Sequence, residues 1–363
     1  MKIFQLCADS GIAVDGNKGA SIHLRSLAAG FVRLHDVVVI TKRPVGSDAM
    51  FPFPVERYHG PDSLDGTVDR HGVPDVVYER YSLGHVAGLE FARSIGRPFV
   101  LEVNAPLVDE ARRHRPGSVS APDVDAEMRL FRDADLVVVV SEALRARVGQ
   151  VRGAGPIIVE HNGFDPSLFS GDVEPDPRPT LGFLGHPKPW HGAEVLPSVL
   201  EELRRRGHDA RLLIVGGGPG ADAVAAAARA CGIEEHLEIT GALDQADAIT
   251  RIRGAWIGMA PYPDSDFFYF SPIKVMEYLA AGLPVVATAV GEVPALVGEA
   301  GVIVPPGQAG AIVEAVDALL GDAGARRELG RIGRARMDRD HTWDAVARRT
   351  VDAVAALRTE SSR

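Results

Sequence analysis

Cysteine is nearly absent from this sequence: its 363 residues include two, Cys7 and Cys231, each in an apolar segment. That excludes a disulfide framework and a cysteine-based metal site, and both thiols are expected in the core. Lysine is almost as scarce, five residues against 34 arginines. A basic residue here is arginine by default, so Lys18, Lys188 and Lys274 stand out by lying in glycine- or proline-rich loops. Positive charge is short overall. The 39 Lys and Arg face 49 Asp and Glu, a net charge of −10, which argues against nucleic acid as the main partner but allows an acidic ligand in a local basic pocket. No apolar run approaches the roughly 18 residues of a membrane helix, and the opening "MKIFQLCADS" has no signal-peptide core. A cytoplasmic protein is expected, with no transmembrane segment, and peripheral membrane contact is compatible with that.

What the chain has is rhythm. Short apolar runs alternate with helical periodicity from end to end, the mark of α/β architecture with parallel sheets. The strand candidates of the first half are "KIFQL", "DVVVIT", "DVVYE", "PFVLEV", "DLVVVV" and "PIIVE". They are continuously apolar, as strands covered on both faces should be. The stretch "SGDVEPDPRPT" at 170–180 reads as a linker. The rhythm then restarts with "TLGFLG", "ARLLIVGGG", "LEITGAL", "AWIGMAPY", "LPVVATA" and "GVIVPP". Two doubly wound Rossmann-like domains, 1–170 and 171–341, are expected to face each other across a cleft. An amphipathic tail helix at 342–363 should pack back on the first.

Three glycine loops follow strands. "GGGPG" at 216–220 nearly matches a dinucleotide fingerprint but lacks the acidic ribose partner, so a tight strand-to-helix turn is the better reading. "DGNKGAS" at 15–21 offers Gly16 and Gly19 for close backbone approach, Lys18 as a charge and Ser21 as a helix cap. "GHPKPWHG" at 185–192 holds His186, Lys188 and His191 with no carboxylate or cysteine in the loop, which suits phosphate better than metal. The pairs Asp133/Asp135 and Asp264/Asp266 are the other metal candidates, and no metal is expected at either. In "SPIKVMEYLAAG" Ser271 reads as N-cap and Pro272 as first helical residue. Lys274 then falls in the first turn, where the helix dipole disfavours a cation unless an anion is bound there. A pair with Glu277 at i,i+3 would contribute only about 0.2–0.5 kcal/mol.

Taken in order, "EHNGFDPSLF", "LGFLGHPKPWHG" and "SPIKVMEYLAAGLPVVATAVGEVPALVGEAGVIVPPG" resemble the retaining, nucleotide-sugar-dependent glycosyltransferases of family 4, which have the GT-B fold. The resemblance implies an acceptor-binding first domain and a donor-binding second one. It makes the nucleoside-diphosphate sugar a co-substrate rather than a cofactor, with UDP favoured on family frequency, and implies metal-independent transfer to an acceptor hydroxyl. The acceptor would be a small natural product or an envelope glycan or lipid; composition suggests a GC-rich bacterial genome. The family carries two glutamates separated by seven residues. The second, a ribose ligand, aligns with Glu277, and the first, a ligand of the transferred sugar, is replaced by Tyr269. The family's Arg and Lys around the diphosphate fall at His186 and His191, leaving Lys188 to share the load. A sugar-contacting histidine of the family is replaced by Asn104. The resemblance thus assigns catalysis to Lys188, His191, Lys274 and Asn104. It assigns donor binding to Gly16, Gly19, His186, Tyr269, Ser271, Pro272, Ile273 and Glu277. The basic run at 112–115 reads as a solvated helix face or an anionic acceptor contact. Competing readings are a nucleotide-sugar epimerase of the same fold, an NAD-dependent oxidoreductase and a catalytically silent nucleotide-sugar-binding module.

Overall fold

A computed structural model describes residues 1–16, 18–43, 46 and 50–360. Asn17 of the first glycine loop and residues 361–363 of the expected tail helix lie outside the described residues. The chain divides into two compact units. The first comprises Met1–Gly163, Tyr269–Ser271 and Trp343–Arg363, and the second Phe164–Phe268 and Pro272–Thr342.

In the first unit the apolar runs become β1 (Lys2–Cys7), β2 (Asp36–Thr41), β3 (Val55–Arg57), β4 (Val76–Arg80), β5 (Phe99–Val103), β6 (Leu136–Val139) and β7 (Ile157–Val159). They form one sheet in the order β3-β2-β1-β4-β5-β6-β7, every neighbouring pair parallel. Both faces are buried. One packs Leu6, Val77, Phe99 and Leu101 against the helices at 87–94 and 121–133. The other packs Ile3, Tyr78 and Val100 against the helix Gly19–Val32 and the tail helix Trp343–Glu360. Those two helices meet closely at Gly30, where a Cβ would lie 2.7 Å from the Trp343 carbonyl oxygen. Cys7 is in this core, whereas Cys231 ends the helix Pro219–Ala230 half-buried, not in the core as expected.

The second unit contains β8 (Thr180–Leu184), β9 (Arg211–Val215), β10 (Leu237–Ile239), β11 (Ile257–Ala260), β12 (Val285–Thr288) and β13 (Gly301–Val304). Their order is β10-β9-β8-β11-β12-β13, again all parallel. The polar stretch 170–180 is not a free linker. It is pinned inside this unit: Trp256 Nε1 donates to the Asp176 carbonyl (2.9 Å), Arg251 pairs with the Asp176 carboxylate (3.2 Å), and Arg253 donates to the Ser170 carbonyl (2.9 Å). The chain changes unit ahead of it, between Gly163 and Phe164.

Each sheet has one place where the strand order reverses, between β1 and β4 and between β8 and β11. Loops leaving the carboxyl ends of those strands run to opposite faces and leave a crevice, the usual ligand position in open parallel sheets.

Candidate functional site

At the second unit's reversal point β8 and β11 pair only at Ile257↔Leu181 and Gly258↔Gly182. Beyond that the Tyr278 phenol bridges them, accepting from the Leu184 amide (2.8 Å) and donating to the Met259 carbonyl (3.2 Å). Gly258 makes room for that ring, since a Cβ there would lie 2.5 Å from it. Tyr278 was not singled out in the sequence, although it adjoins Glu277 and faces the glycine of "WIGMA".

The loop 185–192 leaves β8 and lies on the loop that leaves β9. A Cβ on Gly216 would land on the Gly185 carbonyl, and one on Gly220 on the Pro187 carbonyl. Gly216 and Gly220 are therefore explained by a neighbouring backbone, while Gly218, at φ +86°, makes the strand-to-helix turn. His186 joins the same contact, its Nδ1 lying 3.1 Å from the Gly217 amide nitrogen and 2.9 Å from its carbonyl oxygen. Gly192 adopts φ +68°, and a side chain there would meet the Pro261 carbonyl of the loop after β11.

His191 is half-buried among the rings of Phe183, Trp190 and Tyr262. Burial, together with the charges of Lys274 and Lys188, pushes its imidazole down to about 3. It is neutral at physiological pH and not the weak cation expected from the sequence. Its Nδ1 accepts from the Lys188 amide (3.2 Å), which puts the ring proton on Nε2. A hydrogen bond to the His186 backbone opposes the fall and engages the ring's donor. Lys188 itself is exposed.

The helix Ile273–Ala280 starts at the end of the loop after β11. Its N-cap is Pro272 and no side chain caps it, so Ser271 is not the cap. The Ser271 hydroxyl accepts from the Asn162 amide (3.2 Å), and its carbonyl accepts from Asn162 Nδ2 (2.9 Å). A partner 109 residues away has taken the hydroxyl from its local use. Lys274 lies in the uncapped first turn, its Nζ 3.8 Å from the Phe183 ring centroid and 5.8 Å from that of Tyr262. That nitrogen is closed off from solvent and has no hydrogen-bond partner among the described residues. Burial pulls it down to about 7, against the favourable charge of Glu277. Burial likewise pushes Glu277 up to about 7, against Lys274 and a hydrogen bond from Gln245. Lys274 thus stands over an aromatic face at a helix start that no side chain caps.

The other candidates belong to the first unit. Gly19 opens the helix Gly19–Val32, whose N-cap is Lys18 with no side-chain bond; Ser21 is buried inside the first turn and is not the cap. The Gly16 amide donates to the Ala13 carbonyl (3.0 Å), its carbonyl accepts from Arg25, and a Cβ there would lie 2.8 Å from Ser21 Oγ. Asn104 follows β5 with its Oδ1 buried and unpartnered. Tyr269 packs on the first unit's core, its carbonyl accepting from Ser141 Oγ (2.5 Å). Burial, then the charge and hydrogen bond of Glu110, push its phenol up. The structure thus gathers His186, Lys188, His191, Pro272, Ile273, Lys274 and Glu277 in one unit and Gly16, Gly19, Asn104, Tyr269 and Ser271 in the other.

Sequence reasoning missed a buried polar network in the first unit. His23 Nε2 lies 2.8 Å from Glu102 Oε1, and His23 Nδ1 2.6 Å from Asn162 Oδ1. Tyr78 donates to Glu102 Oε1 (2.8 Å), and Arg80 Nη1 stands 3.8 Å from Glu102 Oε2. Burial raises the Glu102 carboxyl, but the charge and hydrogen bond of His23, Arg80 and the Tyr78 hydroxyl outweigh it and hold it below the usual carboxylate range. The pair Asp133/Asp135 lies at the turn from the helix Ala121–Asp133 into β6, where Asp135 accepts from the Phe99 amide and pairs with Arg93 (2.7 Å each).

Two family models match the chain, "Glycosyltransferase Family 4" over residues 17–168 and "Glycosyl transferases group 1" over 178–322. A GDP-mannose-dependent alpha-(1-6)-phosphatidylinositol monomannoside mannosyltransferase of Mycobacterium tuberculosis is 28% identical over 268 residues, 66% of this chain and 66% of that protein. A D-inositol 3-phosphate glycosyltransferase of Mycobacterium sp. is 27% identical over 278 residues, 70% of this chain and 62% of the relative. The matched stretches thus span somewhat less than two thirds of these relatives' own length. Among solved structures, sucrose-phosphate synthase from Thermosynechococcus elongatus superposes with a TM-score of 0.77 at 18% identity, covering 99% of each chain. Anabaena Alr3699/HepE in complex with UDP and glucose gives 0.73 at 17%, covering 98% of this chain and 100% of that one. At such identities the likeness is one of fold.

Proposed function

Because the chain belongs to the family 4-type glycosyltransferases with the GT-B fold, we propose that it transfers a sugar from a nucleoside-diphosphate sugar to an acceptor hydroxyl, with retention at the anomeric carbon and without a metal. The observation that carries this reading is Lys274: its buried ammonium has no hydrogen-bond partner among the described residues and lies in the uncapped first turn of a helix, at the strand-order reversal of the second unit. The charge of Glu277 favours the ammonium without outweighing its burial.

In this reading Lys274 and the first amides of its helix hold the diphosphate, Lys188 adds an exposed charge, and His191 adds none. Glu277 accepts from the ribose hydroxyls. The reaction breaks the bond from the anomeric carbon to the phosphate oxygen and forms one to the acceptor oxygen on the same face. The leaving phosphate takes the acceptor's proton, so the protein need supply no base, only charge stabilisation and alignment of two substrates. Asn104 and Tyr269 are assigned to the transferred sugar, where a neutral amide and phenol replace charged or titratable groups. The mycobacterial relatives' names put GDP-mannose ahead of UDP-sugars among the donors to try, and inositol-bearing compounds first among acceptors.

The test is a thermal-shift and calorimetric panel of GDP, UDP, GDP-mannose, UDP-glucose and NAD(H), each with and without EDTA, on the wild type and on Lys274→Met. Stabilisation by one nucleoside diphosphate, indifferent to EDTA and lost in the variant, is the expected result. A shift with NAD(H) alone overturns the reading, and nucleotide binding with no transfer to any acceptor returns the silent module.

A further inference from the structure

The segment Tyr269–Ser271 is three residues of chain that cluster with the first unit although both flanking stretches belong to the second. Hydrogen bonds account for it. Ser141 Oγ donates to the Tyr269 carbonyl (2.5 Å), and Glu110 bonds the Tyr269 phenol. Asn162 takes Ser271 at two points, its amide donating to the hydroxyl (3.2 Å) and its Nδ2 to the carbonyl (2.9 Å).

Donor and acceptor accounting then sets what holds Asn162. Because its Nδ2 is spent on the Ser271 carbonyl, its Oδ1 is the atom 2.6 Å from His23 Nδ1 and must accept from it. On the opposite side of the ring, Glu102 Oε1 already accepts from Tyr78 and faces His23 Nε2 at 2.8 Å. The imidazole therefore donates from Nδ1 to the amide oxygen, while its Nε2 faces the carboxylate. His23 is 4% exposed, Glu102 2% and Asn162 7%. The Trp343 indole stands edge-on to the ring at 5.1 Å and closes it in. Breaking a bond in a polar chain this enclosed is costly, so the bonds it makes determine its geometry, although Glu102 Oε2 has only the Arg80 charge 3.8 Å away.

We infer that His23 is a positioning residue: by donating to Asn162 it fixes the amide orientation that holds Ser271, and with it the place of Tyr269. This rests on the transferase reading, in which Tyr269 contacts the donor sugar. It goes beyond that reading by giving the origin of the sugar contact's precision to a helix residue remote in sequence. The nucleotide ligands Lys274 and Glu277 belong to the other unit and are not part of this chain of bonds.

The experiment compares wild type, His23→Gln and Asn162→Asp. In Asn162→Asp an oxygen still faces His23, but the donor to the Ser271 carbonyl becomes an acceptor, so the link breaks at one known point. Three quantities are read: amide exchange of Tyr269–Ser271, dissociation constants for GDP and UDP, and sugar release from GDP-mannose and UDP-glucose. The expected result is faster exchange and turnover reduced about a hundredfold, with nucleotide affinity within about twofold of wild type. Unchanged exchange in Asn162→Asp overturns the inference, as does nucleotide affinity falling in step with turnover. If His23→Gln fails to fold, Asn162→Asp decides alone. Absence of GDP and UDP binding in the wild type sinks the transferase reading instead, and the exchange measurement still judges the positioning role.

Discussion

Glu79, in the middle of the first unit's core with no exposed surface, carries a carboxyl that burial raises to about 8, against a lowering hydrogen bond from the Gly88 amide. In the unfolded chain the same group ionises near 4.3. Its neutral form fits the folded protein, so its contribution is fully present below the unfolded value. It is then lost as pH rises toward 8, at roughly 1.4 kcal/mol per pH unit. Glu79→Gln should therefore gain stability over wild type at pH 8 compared with pH 5; denaturant melts at the two pH values would show it, and a pH-independent difference would contradict it. Lys274 has the opposite chemistry. Its ammonium is the charged form and is lost as pH rises through about 7, so affinity for a nucleoside diphosphate should weaken above that pH. Lys274→Met should cost about 1.5–3 kcal/mol, the range for a hydrogen bond to a charged group, and flatten the pH profile, as calorimetry across pH 6–9 can report. Lys274 was legible in the sequence because lysine is rare and sits badly at a helix start. His23 was not: it looks like a lone histidine on an apolar helix face, and its partners lie 79 and 139 residues away. His191 was visible as a loop residue, but its neutrality comes from rings and lysines on three other segments.

Twelve strands follow from apolar runs in the sequence, because a strand covered on both faces must be apolar throughout. The exception is β3, whose three residues "VER" sit at the sheet edge, none of them buried, and carry no such signal. Loops were read less well than strands. "GGGPG" is the strand-to-helix turn its pattern suggests, but Gly216 and Gly220 answer to the backbone of a loop some 30 residues earlier, something local pattern cannot reveal. Gly220→Ala is the matching prediction. The added methyl would push the Pro187 carbonyl aside and shift the loop bearing Lys188 and His191. Overpacking of this kind costs typically 1–3 kcal/mol, so the melting temperature should fall and nucleotide affinity with it. A variant that melts lower but binds nucleotide as wild type would show that the two loops are not coupled.

At the scale of the whole chain, the first unit is finished by its last residues. Trp343 is 5% exposed, touches His23 edge-on and sits against Gly30 and Gly163. Trp343→Ala should cost about 3–5 kcal/mol, the usual loss for a large buried aromatic. Calorimetry should show the loss in the first unit's transition, with nucleotide still raising the second unit's. An equal loss in both would mean the units do not melt separately. The sequence rhythm announced two doubly wound halves but not how the chain is shared between them, because hydrophobic periodicity records what is buried and not against which partner. The chain changes unit four times, after Gly163, Phe268, Ser271 and Thr342. For the gene this has a concrete meaning: neither unit is a single cassette. A recombination event with one breakpoint after Gly163 would transplant both stretches of the second unit but bring Tyr269–Ser271 and the tail helix with them from the wrong parent. Chimeras that exchange the second unit between relatives should therefore work only when its two separate stretches, Phe164–Phe268 and Pro272–Thr342, travel together and Tyr269–Ser271 stays behind.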